Sequence, residues 1–201
     1  MPERGDRTSI RARLAQASLR AIGGWRFVGE VPRPRKAVLL AMPHTDNMDG
    51  LLLVLLARSV GMTISWMVKD VWGKPPVGLL IRSVGGVPVD RSKANGMVDQ
   101  MVAEFGRRDD FHLVIPPEGT RSLTQHWKSG FYRIALGASV PVVPGFLDYG
   151  RKQGSFGEPI TLTGNVRADM DALRSTYAGV AAMARHPERV GPIRLREEDE
   201  S

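Results

Sequence analysis

The sequence predicts a single α/β domain whose largely parallel sheet is flanked by helices. Three observations point there. Between residues 37 and 184, short apolar runs of strand length alternate with segments of helical length, the pattern of strands joined by crossover helices. With 201 residues the chain can bury one sizeable core but not two ordinary ones. Hydrophobic residues at 42% and aromatics at 6% are ordinary for a globular protein, and no internal repeat or low-complexity segment interrupts the pattern.

Residues 9–22 place Ile10, Leu14, Ala17 and Ala21 at helical spacing, with Arg11, Arg13 and Arg20 among them, and Gly23-Gly24 ends the helix. Two readings of this amphipathic helix stand: packing on the core, or lying in a lipid interface where its arginines meet anionic headgroups. Trp25 and Phe27 beyond it favour the interface. Past Pro32 and Pro34, strands are expected at 37–42, 62–68, 86–89, 111–115 and 140–147, with an extended stretch at 154–162. Helices are expected at 49–60, 77–83, 92–107 (capped by Ser92), 130–137 and 168–184. The chain divides into an N-terminal helix and linker (residues 1–35), a core domain (36–184) and a charged, solvated tail (185–201).

Composition narrows the chemistry. The absence of cysteine excludes disulfides, thiolate metal sites and a cysteine acyl-enzyme, and suits a reducing compartment. Lys and Arg number 28 against 21 Asp and Glu, a net charge of +7 that attracts anions: nucleic acid, acidic lipid or phosphorylated small molecules. The excess leans towards residues 4–36. The longest apolar run, residues 50–57, is far short of the ~18 residues of a spanning helix, and no secretion signal is evident, so a soluble or membrane-surface protein is expected.

Four segments could carry chemistry, and each falls where a predicted strand ends, the edge at which open α/β sheets gather ligands. In Met42-Pro-His44-Thr-Asp-Asn-Met-Asp49-Gly50, His44 and Asp49 would lie roughly 140° apart on an unbroken helix. They can meet only if His44 occupies the turn before the helix and Asp49 its first turn, with Asp46 or Asn47 as cap. A carboxylate on one imidazole nitrogen leaves the other free to take a proton from an alcohol. A capped helix that happens to carry a surface histidine is the plain alternative, and a metal site from His44, Asp46 and Asp49 a weaker one, since the remaining histidines are scattered. In Gly85-Gly-Val-Pro-Val-Asp90-Arg91-Ser-Lys93, Arg91 and Lys93 offer cationic donors after a glycine turn, or merely decorate it. In Ile115-Pro-Pro-Glu118-Gly119-Thr120-Arg121-Ser122, Gly119 allows an anion nest of backbone N–H groups, Arg121 adds charge, and Glu118 can orient Arg121 or accept from a substrate hydroxyl. Val140-Pro-Val-Val-Pro144-Gly145 reads as an edge strand or rigid apolar wall, or as a plain core strand.

In this order the four segments resemble the glycerol-phosphate and lysophosphatidic acid acyltransferase family, which shows His, four residues and Asp; a Gly-rich stretch ending in Arg; Glu-Gly-Thr-Arg-Ser; and a Pro-bracketed valine strand. The resemblance covers residues 37–147. Lys69 matches a family lysine between the first two blocks, and Lys128-Ser-Gly130 a segment after the third. It implies that His44 and Asp49 are the catalytic dyad. It also implies that Lys69, Arg91, Glu118, Gly119, Thr120 and Arg121 bind the acceptor's phosphate. The sequence departs from the family at Pro43, Pro116 and Asp46, the last adding a negative charge beside the acceptor site.

The resemblance thus implies an O-acyltransferase with a glycerolipid-acyltransferase-like domain at 36–184. It would move a fatty acyl group from acyl-CoA or acyl carrier protein to a hydroxyl of lysophosphatidic acid, with glycerol 3-phosphate or another lysophospholipid as alternative acceptors. No metal and no cofactor beyond the thioester co-substrate is expected. Residence in the cytoplasm, peripheral on the inner face of the membrane, is expected from the lipid product. No serine is flanked by glycines as in a nucleophile elbow, and no Walker or dinucleotide glycine motif occurs, so direct attack in a ternary complex is the expected scheme. A non-enzymatic anion- or nucleic-acid-binding module is the rival from another class. It would need exposed aromatics among the basic residues, and those present lie mostly inside apolar runs, so no nucleic-acid partner is expected.

Overall fold

A computed structural model of the chain describes residues 10–73, 76–90 and 94–199. Seven strands form one sheet: β1 (Arg26–Phe27), β2 (Lys36–Met42), β3 (Ser65–Lys69), β4 (Gly86–Val89), β5 (Phe111–Ile115), β6 (Val142–Asp148) and β7 (Gln153–Phe156). Their order is β1-β7-β6-β2-β5-β3-β4. Strands β6, β2, β5, β3 and β4 run parallel, while β7 returns antiparallel to β6 and carries β1. The helices are α1 (Ile10–Ala21), α2 (Met48–Ser59), α3 (Val77–Val84), α4 (Ala94–Arg107), α5 (Gly130–Ala138) and α6 (Val166–Thr176).

The centre of the sheet is apolar without alternation because both its faces are covered. Along β2, Val38, Leu40 and Met42 enter a core closed by Met101 and Phe105 of α4, Phe131 and Ile134 of α5 and Met170 and Leu173 of α6. Ala37 and Leu39 face the other way, towards Ala57 of α2 and Met62 and Ile64 after it. Helix α2 is apolar nearly all round because it is itself covered: Leu52 and Leu56 pack on Leu19 of α1, with Trp25 and Leu147. The first helix buries Ala12, Ala15 and Leu19, whereas Ile10 is 77% and Leu14 62% exposed. Core packing therefore uses the face opposite the stripe picked out by spacing, and that stripe points outward.

Three expectations are corrected. The Val140–Gly145 stretch is not an edge: β6 lies between β2 and β7. Pro144 is tolerated there because its carbonyl, and hence its missing N–H, faces the β7 side, where Gly157 N–H donates to it at 2.8 Å, so the β2 ladder loses nothing. The last helix stops at Thr176 instead of running to Ala184, since Gly179 takes a left-handed φ of 77° and only a 3-10 turn, Val180–Met183, follows. The solvated tail is also not observed. Leu195 is 1% exposed in the main core, Trp127 N–H donates to Arg194 O at 2.8 Å, and Glu198 pairs with Arg174 at 2.8 Å.

Among the described residues no helix is long and apolar enough to cross a membrane.

Candidate active site

Parallel pairing brings the candidate segments to one edge. Leu40 of β2 is in register with Ile115 of β5, so the loops carrying His44 and Glu118 leave the sheet side by side. Lys69 ends β3 opposite Val89 of β4, next to the turn that leads to Arg91. Arg91, Ser92 and Lys93 lie outside the described residues.

The first loop folds as its spacing requires. After Met42-Pro43, whose peptide is cis, His44 sits in the turn and Asp49 in the first turn of α2. Asn47 holds the cap position without a side-chain bond; the capping acceptor is Asp46, whose Oδ1 takes the Met48 N–H at 2.8 Å. Asp49 is 2% exposed. Its Oδ2 accepts from the N–H groups of Thr45 and Asp46 at 2.7 and 2.8 Å and lies 3.5 Å from His44 Nδ1. Its Oδ1 accepts from the Tyr149 hydroxyl at 2.5 Å. Burial pushes the Asp49 pKa up, but bonds from His44, Tyr149 and the two N–H groups outweigh it, so the carboxyl is held below its usual range and ionised. His44 keeps part of its surface open at the edge, its side chain 18% exposed.

Glu118 departs from expectation. It is 1% exposed, turned beneath the surface beside His44, and does not reach out to Arg121, which is exposed. The backbone N–H groups of His44 and Gly191 face its carboxylate, yet neither completes a hydrogen bond, and both oxygens lack a partner among the described residues. Burial therefore raises its pKa to about 7, with the negative Asp49 adding to the rise and the two N–H groups and His44 opposing it. Thr45 Oγ1, also buried, is likewise without a partner.

Gly119 comes next with φ 66°, and a Cβ there would stand 2.9 Å from Lys128 Cγ, so the turn needs glycine twice over. The turn closes through Gly119 N–H to Pro116 O at 3.1 Å and is held by Lys128 N–H to Pro117 O at 2.7 Å. Gly119, Thr120 and Arg121 lie exposed at the same edge, as does Lys69.

Residues that no motif picked out complete the site. Tyr149 stands immediately after β6, and its position past the end of a strand parallel to β2 was the signal that could have found it. From the C-terminal segment, Arg185 and His186 approach Asp46 at 3.5 Å each, and Arg189 donates to Thr45 O at 3.1 Å. The negative charge of Asp46 is thus countered within the protein. Its pKa is lowered chiefly by the Met48 N–H, which burial opposes, and further by Arg185 and His186.

An open, mostly parallel sheet thus presents at its strand ends an imidazole backed by a buried carboxylate, beside a glycine turn and the exposed cations Lys69 and Arg121, an arrangement that can accept a proton next to a positively charged surface. Residues 25–147 match the family model described as Acyltransferase, and the chain belongs to that family. Among curated proteins it is similar to a probable 1-acyl-sn-glycerol-3-phosphate acyltransferase of Mycoplasma pneumoniae, 29% identical over 121 residues, which are 55% of this chain and 44% of that protein. It is also similar to the 1-acyl-sn-glycerol-3-phosphate acyltransferase of Cocos nucifera, 31% identical over 50% of this chain and 34% of that one. The chain thus spans less than half the length of these two relatives. Its fold is that of the crystal structure of the 1-acyl-sn-glycerophosphate (LPA) acyltransferase PlsC from Thermotoga maritima, with a TM-score of 0.60 and 18% identity. That likeness covers 87% of this chain and 79% of the other.

Proposed function

We propose that the chain transfers a fatty acyl group from acyl-CoA or acyl carrier protein to a hydroxyl of lysophosphatidic acid or a related phosphorylated glycerolipid. The observation that carries this reading is the buried, ionised Asp49 carboxylate 3.5 Å from His44 Nδ1, at the strand edge of an acyltransferase-family domain. Held at Nδ1, the imidazole presents Nε2 as a base. The acceptor O–H gives its proton to Nε2 as its oxygen adds to the thioester carbonyl. The tetrahedral adduct then collapses, breaking the C–S bond, and the leaving thiolate takes the proton back from the imidazolium. Asp49 stabilises the imidazolium between the two steps. Gly119, Thr120 and Arg121, with Lys69 and Arg91, are proposed to hold the acceptor's phosphate so that its hydroxyl meets His44, which is where much of the rate gain of such a transfer arises. Glu118 serves the site from beneath, next to His44, and not as a surface ligand.

The reaction's product belongs in a bilayer, and we place the protein in the cytoplasm, peripheral on the inner membrane face. The outward stripe of α1, with Ile10 and Leu14 exposed among arginines, supports contact with an anionic lipid surface.

The test is thiol release from long-chain acyl-CoA and from acyl carrier protein, with a panel of phosphorylated acceptors. His44→Ala and Asp49→Ala should each cost at least ~10²-fold in turnover while the protein stays folded. Retention of more than a tenth of wild-type turnover by folded His44→Ala would remove the base from the mechanism. Equal rates with and without a phosphate on the acceptor would remove the phosphate site.

A further inference from the structure

We propose that Tyr149 is a positioning residue for the acyl transfer, acting through Asp49. This role rests on the reading of His44 and Asp49 as base and orienter. The tyrosine lies two residues past the segment matched by the family model, in the turn between β6 and β7.

Asp49 has two carboxylate oxygens and almost no access to solvent. Oδ2 is supplied by the Thr45 and Asp46 N–H groups and faces His44, so these contacts alone would leave Oδ1 buried without a donor. A buried carboxylate oxygen in that state is costly, and the group would turn to share its donors, moving Oδ2 off the imidazole. The Tyr149 hydroxyl at 2.5 Å removes that incentive. With one oxygen tied to the tyrosine and the other to the loop, the plane of the carboxylate is set, and with it the direction from which His44 is held.

Tyr149 is itself fixed from three parts of the chain. Trp25, between α1 and β1, packs edge-on against its ring at 4.9 Å and 86°. Its N–H donates to Met183 O at 2.9 Å, tying it to the turn after α6. The Arg185 guanidinium lies 6.0 Å from the ring centroid. Burial and the neighbouring Asp49 both push the tyrosine pKa upward, with Asp46 adding to the rise and Arg185 opposing it, so the hydroxyl keeps its proton and remains a donor. The ring thus joins the N-terminal and C-terminal segments to the orienting carboxylate.

Tyr149→Phe removes the oxygen and keeps the ring, so packing on Trp25 is preserved. Steady-state kinetics on Tyr149→Phe, with His44→Ala assayed in parallel, test the proposal. Expected is a fall in kcat of roughly 10- to 100-fold, the rate equivalent of one charge-assisted hydrogen bond. KM for both substrates should stay within about twofold, as expected for a group that orients the base and does not bind substrate. An unchanged kcat, or a lower kcat with KM raised alongside it and a lower melting temperature, would overturn it and leave Tyr149 a packing residue of the hairpin. An active, folded His44→Ala would instead bring down the dyad itself, whatever Tyr149→Phe does.

Discussion

Glu118 is a buried carboxylic acid with no bonding partner among the described residues, beside a histidine and a second, ionised carboxylate, and its protonation has a sign that can be worked out. Folding raises its pKa from 4.5 to about 7, so the folded state holds the proton more tightly than the unfolded one. Its contribution is most favourable below pH 4.5, is lost as pH rises towards 7, and then levels off at a penalty of roughly 3 kcal/mol at most. Thermal melts of the wild type and Glu118→Gln between pH 5 and 8 should therefore converge as pH rises or cross, with the variant losing less stability over that range. Parallel curves would show that Glu118 is ionised throughout. The Glu-Gly-Thr-Arg string itself was plain in the sequence. The inward direction of its first side chain was not, because the surroundings it turns into are built by His44 and Gly191, residues remote from it along the chain.

At the scale of elements, helix α1 marks the reach of periodicity. Spacing marks residues 9–22 as an amphipathic helix and the structure has one at Ile10–Ala21, yet Ala12, Ala15 and Leu19 form the buried face, and Ile10 and Leu14 the outer one. Small alanines let α1 approach α2 closely, and α2 supplies the apolar bulk through Leu52 and Leu56. The spacing that runs through Ile10, Leu14, Ala17 and Ala21 therefore selects the wrong side. The two faces should separate in experiment. Leu19→Ala should cost ~2–5 kcal/mol of stability, as other buried truncations do. Ile10→Ser with Leu14→Ser should change stability by less than about 1 kcal/mol, yet reduce co-sedimentation with anionic vesicles at low salt. Undiminished vesicle binding by the double variant would take α1 off the membrane. The central strands were legible almost to the residue because they are buried on both faces and bounded by Gly and Pro. The two-residue β1 was not, since it extends the sheet only by adding to β7.

Across the whole molecule, the candidate active-site edge draws on segments far apart in the chain, from Trp25 to Gly191. The alternation of strands and helices made the α/β class and the shared edge readable, and with them the convergence of His44, Asp49, Glu118 and Arg121. Tyr149, Arg185, Arg189 and Gly191 were not foreseen, because their roles depend on tertiary placement and not on local spacing. The C-terminal segment is the clearest case: its charges suggested a solvated tail, but Leu195 anchors it in the core and Arg189 bonds the loop between His44 and Asp49. Leu195→Ala should accordingly destabilise the whole domain by ~2–5 kcal/mol in denaturant melts, whereas a substitution in a free tail would change little.

That closure sets an order in time. A ribosome makes His44 and Asp49 before most of the domain, and β5, which lies between β2 and β3 in the sheet, is made only after both of those strands. Tyr149 emerges 100 residues after the carboxylate it bonds, and Arg189 144 residues after the Thr45 carbonyl that it holds. A nascent chain can therefore carry both members of the proposed dyad through most of the domain's synthesis without the groups that hold them in place. Until those distant residues have been made and docked, the histidine and its carboxylate are exposed to the cell as an unassembled pair.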